Sequence, residues 1–268
     1  MPTRRSKENM EIGVVKIAED SDFAMLKRLV DNHDSWRLEY ENKPDQIKVW
    51  SKTTSTSSFR MVKIHSVFNK ISAETMFDVL HDPDYRKEWD EHMMASIDIG
   101  YLNPNNDVGY YALSCPSPLK NRDFVLQRSW LDMNDEKLIL NHSVNHKDYG
   151  PRREFIRAVS YLTGFVVRRR NEGCFLGYIS QTDPRGKLPS WLVNKVTQKL
   201  APNVVKQLKL AAEGYEMWKI RQKNPLLKPW INPEQILGPK ISIADVSYST
   251  AKVDQHLPHT DLGLTKND

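Results

Sequence analysis

The sequence predicts an α+β fold in which a curved antiparallel sheet wraps a long C-terminal amphipathic helix and encloses a cavity. Three observations lead there. Runs of alternating apolar and polar residues recur along most of the chain, helical spacing is confined to a few segments, and the longest helical stripe comes last. The 268 residues are 39% hydrophobic and 27% charged, polar for a globular chain yet too rich in aromatics to stay unfolded.

The elements follow in order. Residues 1–20 carry no pattern. Phe23, Leu26, Leu29 and Val30 then fall at helical spacing, with Asp20, Ser21 and Asp22 as candidate caps. Strands are predicted around Trp36–Tyr40, through Ile47 and Val49, and over Met61–Phe68. A helix is expected over Ser72–Leu80, and a second short one after Asp82-Pro83 carrying Tyr85 and Trp89. Six further strands are expected near 96–103, 107–115, 122–132, 136–145, 154–168 and 173–182. The last helix opens at Pro189 and places Leu192, Val196, Leu200, Val204, Leu208, Ala212 and Tyr215 on one stripe, with a kink at Pro202. This organisation gives a polar extension over 1–20, one domain over 21–225, and a partly irregular extension over 226–268.

Several function classes find no support. No apolar run reaches the roughly 20 residues of a spanning helix, and no signal peptide is visible. Two cysteines, Cys115 and Cys174, are too few for a disulfide framework, so a reducing, cytoplasmic setting is expected. Thirty-nine Lys and Arg against 34 Asp and Glu give a mild excess of +5. His142 and His146 would stand about 13 Å apart on one strand face, too far to share a metal, and read as surface or rim residues. Arg168-Arg169-Arg170 reads as a solvated turn, with no nucleic-acid motif beside it. No catalytic motif is present, so no metal, cofactor or enzymatic activity is expected.

Longer motifs narrow the reading. Val79-Leu80-His81-Asp82 runs into Asp84-Tyr85-Arg86-Lys87-Glu88-Trp89-Asp90. Asp107-Val108-Gly109-Tyr110-Tyr111 and Pro118-Leu119-Lys120-Asn121-Arg122-Asp123 follow, then Asp183-Pro184-Arg185-Gly186-Lys187-Leu188-Pro189-Ser190-Trp191. In this order they resemble the START lipid-transfer domains, in the phosphatidylcholine transfer protein-like subgroup, over about Phe23–Tyr215. The resemblance implies the helix-grip fold and a single bound phospholipid, phosphatidylcholine or phosphatidylethanolamine. The protein is then a monomeric carrier that touches membranes transiently, with the 114–121 loop and the C-terminal helix as lid.

The resemblance also assigns residues. Arg86 and Asp90, four apart on one helix face, fall at the lipid phosphate site; taken alone they read as a surface ion pair. Tyr111, Phe124 and Tyr161 fall at an aromatic cage for the headgroup, with Leu113 and Thr163 beside it; by periodicity alone they are packed strand residues. Trp191, Lys195, Lys199, Lys206 and Lys209 on the last helix are candidates for membrane docking. Two alternatives remain open at this level. One is a helix-grip cavity enzyme of cyclase or isomerase type, and the other a lipid sensor that regulates a protein partner.

Overall fold

A computed structural model of the chain describes residues 12–117, 119–186 and 201–246. Helix α1 (Asp20–Asp31) precedes strands β1 (Arg37–Asn42), β2 (Ile47–Lys52) and β3 (Met61–Phe68). Helices α2 (Ala73–His81) and α3 (Pro83–Trp89) lead into β4 (Met93–Asn103), β5 (Asn106–Leu113), β6 (Asn121–Met133) and β7 (Glu136–Ser143). Then come β8 (Phe155–Arg157), β9 (Val159–Arg169) and β10 (Cys174–Asp183), and after them α4 (Ala201–Ile220) and the single-turn α5 (Ile243–Val246). The strands form one curved sheet in the order β1-β2-β3-β10-β9-β7-β6-β5-β4, antiparallel throughout except for β8, which pairs parallel to β6. The stretch expected as one strand over 154–168 is therefore two. Arg157 forks onto Asp123 at 2.9 Å twice, Ala158 N–H donates to the Asp123 carbonyl, and the chain leaves β6 at that point to join β7.

Strand alternation divides the apolar residues between the two sheet faces. One face presents Ile64, Phe68, Ile139, Phe165, Val167, Leu176 and Tyr178 to α2 and α4. The other presents Met61, Leu138, Leu140, Leu162, Val166 and Ile179 to α1, which inserts Phe23, Leu26 and Val30. Helix α1 can lie this close because β9 and β10 carry Gly164 and Gly177 beneath it. A Cβ at either would stand 2.5 Å from Leu26 or Val30. The free carbonyls at the end of α1 are met from β3: Lys63 Nζ donates to Leu29, Val30 and Asn32, and His65 Nε2 donates to Val30 at 3.0 Å. Its N-terminus is capped by Glu19 and Asp22, one position earlier than the sequence suggests.

Of the stretches expected as extensions, the described residues 12–19 and 226–246 make contacts with the rest of the domain. Gly13 N–H bonds Ser143, Lys16 exchanges two hydrogen bonds with the buried Gln127 amide, and His142 Nε2 donates to the Val14 carbonyl. His142 and His146 are consequently buried, not on the surface. Between α4 and residue 246 the chain has little regular structure, yet it buries Trp230 against α2 and Ile241 and Val246 against the β4–β6 face. The arginine run is solvated only in part: Arg169 and Arg170 are exposed, but two of its members are engaged by carboxylates. Arg168 forks onto Asp31 at 2.6 and 2.8 Å and reaches Glu136 at 2.6 Å, while Arg169 pairs with Glu74 on α2. Alternate residues of a strand end face opposite sides, and here each side has a helix with a carboxylate on it.

Two buried carboxylates secure the C-terminal half of the fold. Asp82 caps α3 through Asp84 and Tyr85 N–H, and its other oxygen accepts from Tyr215 at 3.1 Å and Lys219 at 2.7 Å on α4. Asp78, one turn earlier, accepts from Lys228 and the Trp230 indole. Asp82→Ala strands the buried Lys219 charge and is expected to lower stability by about 3–5 kcal/mol in urea denaturation. Adding Lys219→Met should recover part of that loss, since both charges are then gone.

Histidine burial sets an acid limit. Burial pushes His65 down to about 4, and His81 and His142 also lie below the usual imidazole value. Each stays neutral when folded but binds a proton when unfolded below about pH 6.5. Stability is thus full above pH 6.5 and is lost as the pH falls from there toward 4. His65→Gln, which keeps a donor for Val30, should flatten the fall in unfolding free energy between pH 7.5 and 5.0. An unchanged slope would contradict a neutral, buried His65.

Candidate functional site

The site is built where α3 meets β5, β6, β9 and β10 on the α4 side of the sheet. Asp82 caps α3 and Pro83 opens it, so Arg86 falls one turn in and Asp90 closes it. The expected Arg86–Asp90 ion pair does not form. Arg86 Nη2 donates to the Leu80 carbonyl at 3.2 Å, and its guanidinium carbon stands 5.7 Å from the Trp89 ring. Asp90 instead accepts from the Tyr111 hydroxyl at 2.8 Å. The four-residue spacing is right, but Asp90 is the C-cap, with non-helical backbone angles, and this turns its carboxylate toward β5.

Tyr111 and Phe124 are a directly opposed cross-strand pair of β5 and β6. Burial and the Asp90 charge push the Tyr111 hydroxyl well above its usual range, and burial also raises Tyr178. In both cases the Arg86 charge acts in the opposite sense. Leu113 ends β5, two residues beyond Tyr111 on the same face.

Tyr161 is placed differently. Leu162 opposes Gln181 and Ser160 opposes Thr182, so Tyr161 is the extra residue of a β-bulge. It lines, together with Leu162, Met61 and Gln181, a pocket beside α1. Of the three expected rings, the structure brings two into direct register and puts the third at that pocket. The bulge also returns Ser160 to the face of Thr163. Their hydroxyls meet at 3.0 Å, Thr163 lies 3.5 Å from Ser180, and Ser180 lies 3.3 Å from Thr182. Of this four-hydroxyl row, sequence reading found only Thr163. Alternation identifies inward positions by their apolar residues, so an inward polar row looks like the solvent face of a strand.

Further along the same face, Arg128 is clamped on Asp107, with Nε at 3.1 and 3.2 Å from its two oxygens, and Nη1 reaches the His81 carbonyl at 3.4 Å. The Trp89 indole N–H is buried without a described partner. These groups give the inner face a cation, a pair of rings and a hydroxyl row, a set suited to a zwitterionic ligand bearing an anionic and a cationic group.

The candidate lid elements border this face. In the 114–121 loop, Ser114 N–H donates to the His92 carbonyl and Cys115 N–H to the Asn121 side chain; Pro118 lies outside the described residues. Arg122, at the foot of the loop, donates to the Lys120 carbonyl and to those of Pro184 and Arg185. It thereby joins the loop to the segment that leads toward α4. The first part of the predicted last helix, with Trp191, Lys195 and Lys199, lies outside the described residues, and Pro202 stands at their edge. In α4 the buried stripe is Val205, Leu208, Ala212 and Tyr215, and it ends on Lys219. Val204, expected on the stripe, is 42% exposed, because spacings of three and four back from Tyr215 lead to Val205. Lys206 and Lys209 are exposed, and Lys206 pairs with Asp45 at 3.4 Å.

Comparison with known proteins agrees with this fold. The START domain family model matches residues 16–218. Human START domain-containing protein 10 is 38% identical over 240 residues, covering 88% of this chain and 81% of that protein. Human phosphatidylcholine transfer protein is 28% identical over 188 residues, covering 67% and 85%. The crystal structure of human STARD10 superposes with a TM-score of 0.82 at 36% identity, covering 89% of this chain and 97% of that one.

Proposed function

Because the chain belongs to the START domain family, we propose that it is a non-enzymatic carrier that encloses one phosphatidylcholine or phosphatidylethanolamine molecule and moves it between membranes. The need for enclosure is energetic: exposing roughly 30 acyl methylenes to water at ~0.8 kcal/mol each costs about 25 kcal/mol. The observation that carries the headgroup assignment is Arg86. Its guanidinium faces Trp89 and the sheet, bonds one carbonyl, and leaves donors free for a phosphate, while the neighbouring Asp90 is engaged by Tyr111. Tyr111 and Phe124 then offer ring faces to the headgroup cation, and Leu113 and Thr163 continue the wall.

Entry and exit are assigned to the 114–121 loop and the last helix, which Arg122 links through the chain at Pro184 and Arg185. Membrane docking is assigned to the same helix, with Lys206 and Lys209 on its exposed side and Trp191, Lys195 and Lys199 before it. Leu210, Met217 and Ile220 are exposed on α4 as well, which suits an interfacial position.

Arg86→Met keeps the side-chain bulk and removes the charge. Charged hydrogen bonds contribute about 1.5–3 kcal/mol, so phospholipid extraction from vesicles should fall roughly 10- to 100-fold with melting temperature retained. Normal extraction by the folded variant would exclude Arg86 from the phosphate site.

Phe124→Leu tests the cation subsite. A quaternary ammonium has no N–H to donate and depends on ring faces at ~0.5–2 kcal/mol. Transfer of phosphatidylcholine should drop by roughly two- to thirtyfold, and that of phosphatidylethanolamine clearly less. Equal losses would reduce Phe124 to a wall residue.

A further inference from the structure

On the opposite face of the sheet from Arg86 and Tyr111, a pocket of about 460 Å³ opens between α1, the residue that precedes β1 and the turn before β3. That volume is within the range of small-molecule sites, ~300–1,000 Å³. Met25, Leu29, Met61 and Leu162 form an apolar floor, and Trp36 and Tyr161 add aromatic walls. Arg28 and Lys52 supply the charge, and none of the described lining residues is acidic.

The positive potential is stronger than two cations imply. Lys63, fully buried behind the pocket, sits 4.3 Å from the Trp36 ring centre, and Lys52 sits 5.8 Å from the same ring. Lys63 spends its donors on the last carbonyls of α1, and Lys52 donates to the Asp34 carbonyl. Neither forms an ion pair with a described carboxylate. Asp31, at the end of α1, is held in the fork of Arg168. Repulsion from Lys52 adds to burial in lowering the Lys63 ammonium to about 8. Two cations thus flank the Trp36 ring and a third, Arg28, lines the same apolar pocket, and among the described lining residues there is no facing carboxylate.

We infer that this pocket is a second ligand site, separate from the inner face, that takes a single-chain anionic amphiphile of the alkyl carboxylate class. The chain lies on Met25, Leu29, Met61 and Leu162, and the carboxylate meets Arg28 and Lys52. The chemistry explains the otherwise odd position of Tyr161: the bulge takes it out of the β9 alternation and puts it on this wall. The inference does not depend on the phospholipid reading, since the two sites share no residue.

The test is calorimetric titration of the full chain with dodecanoate, and in parallel with dodecyltrimethylammonium, which has the same chain and the opposite charge. One dodecanoate should bind saturably and the cationic amphiphile roughly tenfold more weakly or worse. Arg28→Glu combined with Lys52→Glu should weaken dodecanoate roughly tenfold or more while leaving the fold intact, as both side chains are at the surface. Arg86→Met should leave dodecanoate binding unchanged. Equal affinity for the two amphiphiles, or full dodecanoate binding by the charge-reversed variant, would overturn the assignment. Loss of dodecanoate binding in Arg86→Met would move the chain to the inner face and overturn it as well. Unchanged phospholipid extraction by Arg86→Met, with dodecanoate binding retained, would instead count against the headgroup reading alone.

Discussion

The pairing of Asp82 with Lys219 fixes most of what lies on the inner side of the sheet. A carboxylate and an ammonium both nearly out of contact with water are costly to bury, and the cost is met only when every donor and acceptor is engaged. Asp82 meets that condition with four hydrogen bonds, two to the first turn of α3 and two to the far end of α4. One side chain therefore sets both the start of α3 and the lengthwise position of α4. Arg86 follows four residues after Asp82, so its place relative to α4 and the sheet is inherited from this contact. Apolar packing alone would let α4 slide or rotate by a residue at small cost; a directional charge pair does not.

Asp78 extends the same logic to the strap after α4. It stands one helical turn before Asp82, on the same side of α2, and burial raises its carboxyl against the lowering effect of Lys228 and the Trp230 indole. Trp230 in turn accepts through its carbonyl from the Trp130 indole on β6. A stretch with almost no regular structure is thus held by named side-chain bonds. The outer face is closed by α1 over Gly164 and Gly177, and by the chain before α1 along Ser143 and Gln127. The apolar cluster of Leu26, Val30, Leu138, Leu140, Val166 and Ile179 on that side carries much of the packing, which allows the inner side to carry hydroxyls and an arginine without loss of the fold.

How far the sequence reveals this depends on whether the signal is periodic. Strands and helices were legible because burial repeats every two residues in a strand and every 3.6 in a helix, and the ten-stranded sheet follows that reading apart from the break at Ala158. Arg86, Tyr111 and Phe124 were legible through motif resemblance, and their proximity is a matter of strand register that no local pattern contains. Asp90 is a helix cap and Tyr161 sits in a β-bulge, so their contacts lie where regular geometry stops, while Val204 is one step off the buried stripe. The contacts of Arg168, Arg169 and His142 have no local signal because their partners, Asp31, Glu136, Glu74 and Val14, come from distant parts of the chain.

The exchange of partners at Asp90 has the largest chemical effect. Had Asp90 paired with Arg86, as their spacing suggests, the site would be locally neutral and a phosphate would have to displace a carboxylate from the guanidinium. By accepting the Tyr111 hydroxyl instead, Asp90 keeps its charge near enough to orient the ring but spends its closest hydrogen bond elsewhere. The guanidinium is left with one backbone carbonyl and an aromatic face, a cation only partly satisfied by the protein. Beside it lie a buried indole N–H and a row of hydroxyls that bond chiefly to one another. Polar groups in this state are unfavourable in a dry cavity and favourable against a zwitterionic headgroup. An inner face polar at one position and apolar around it is the arrangement that the proposed phospholipid ligand requires.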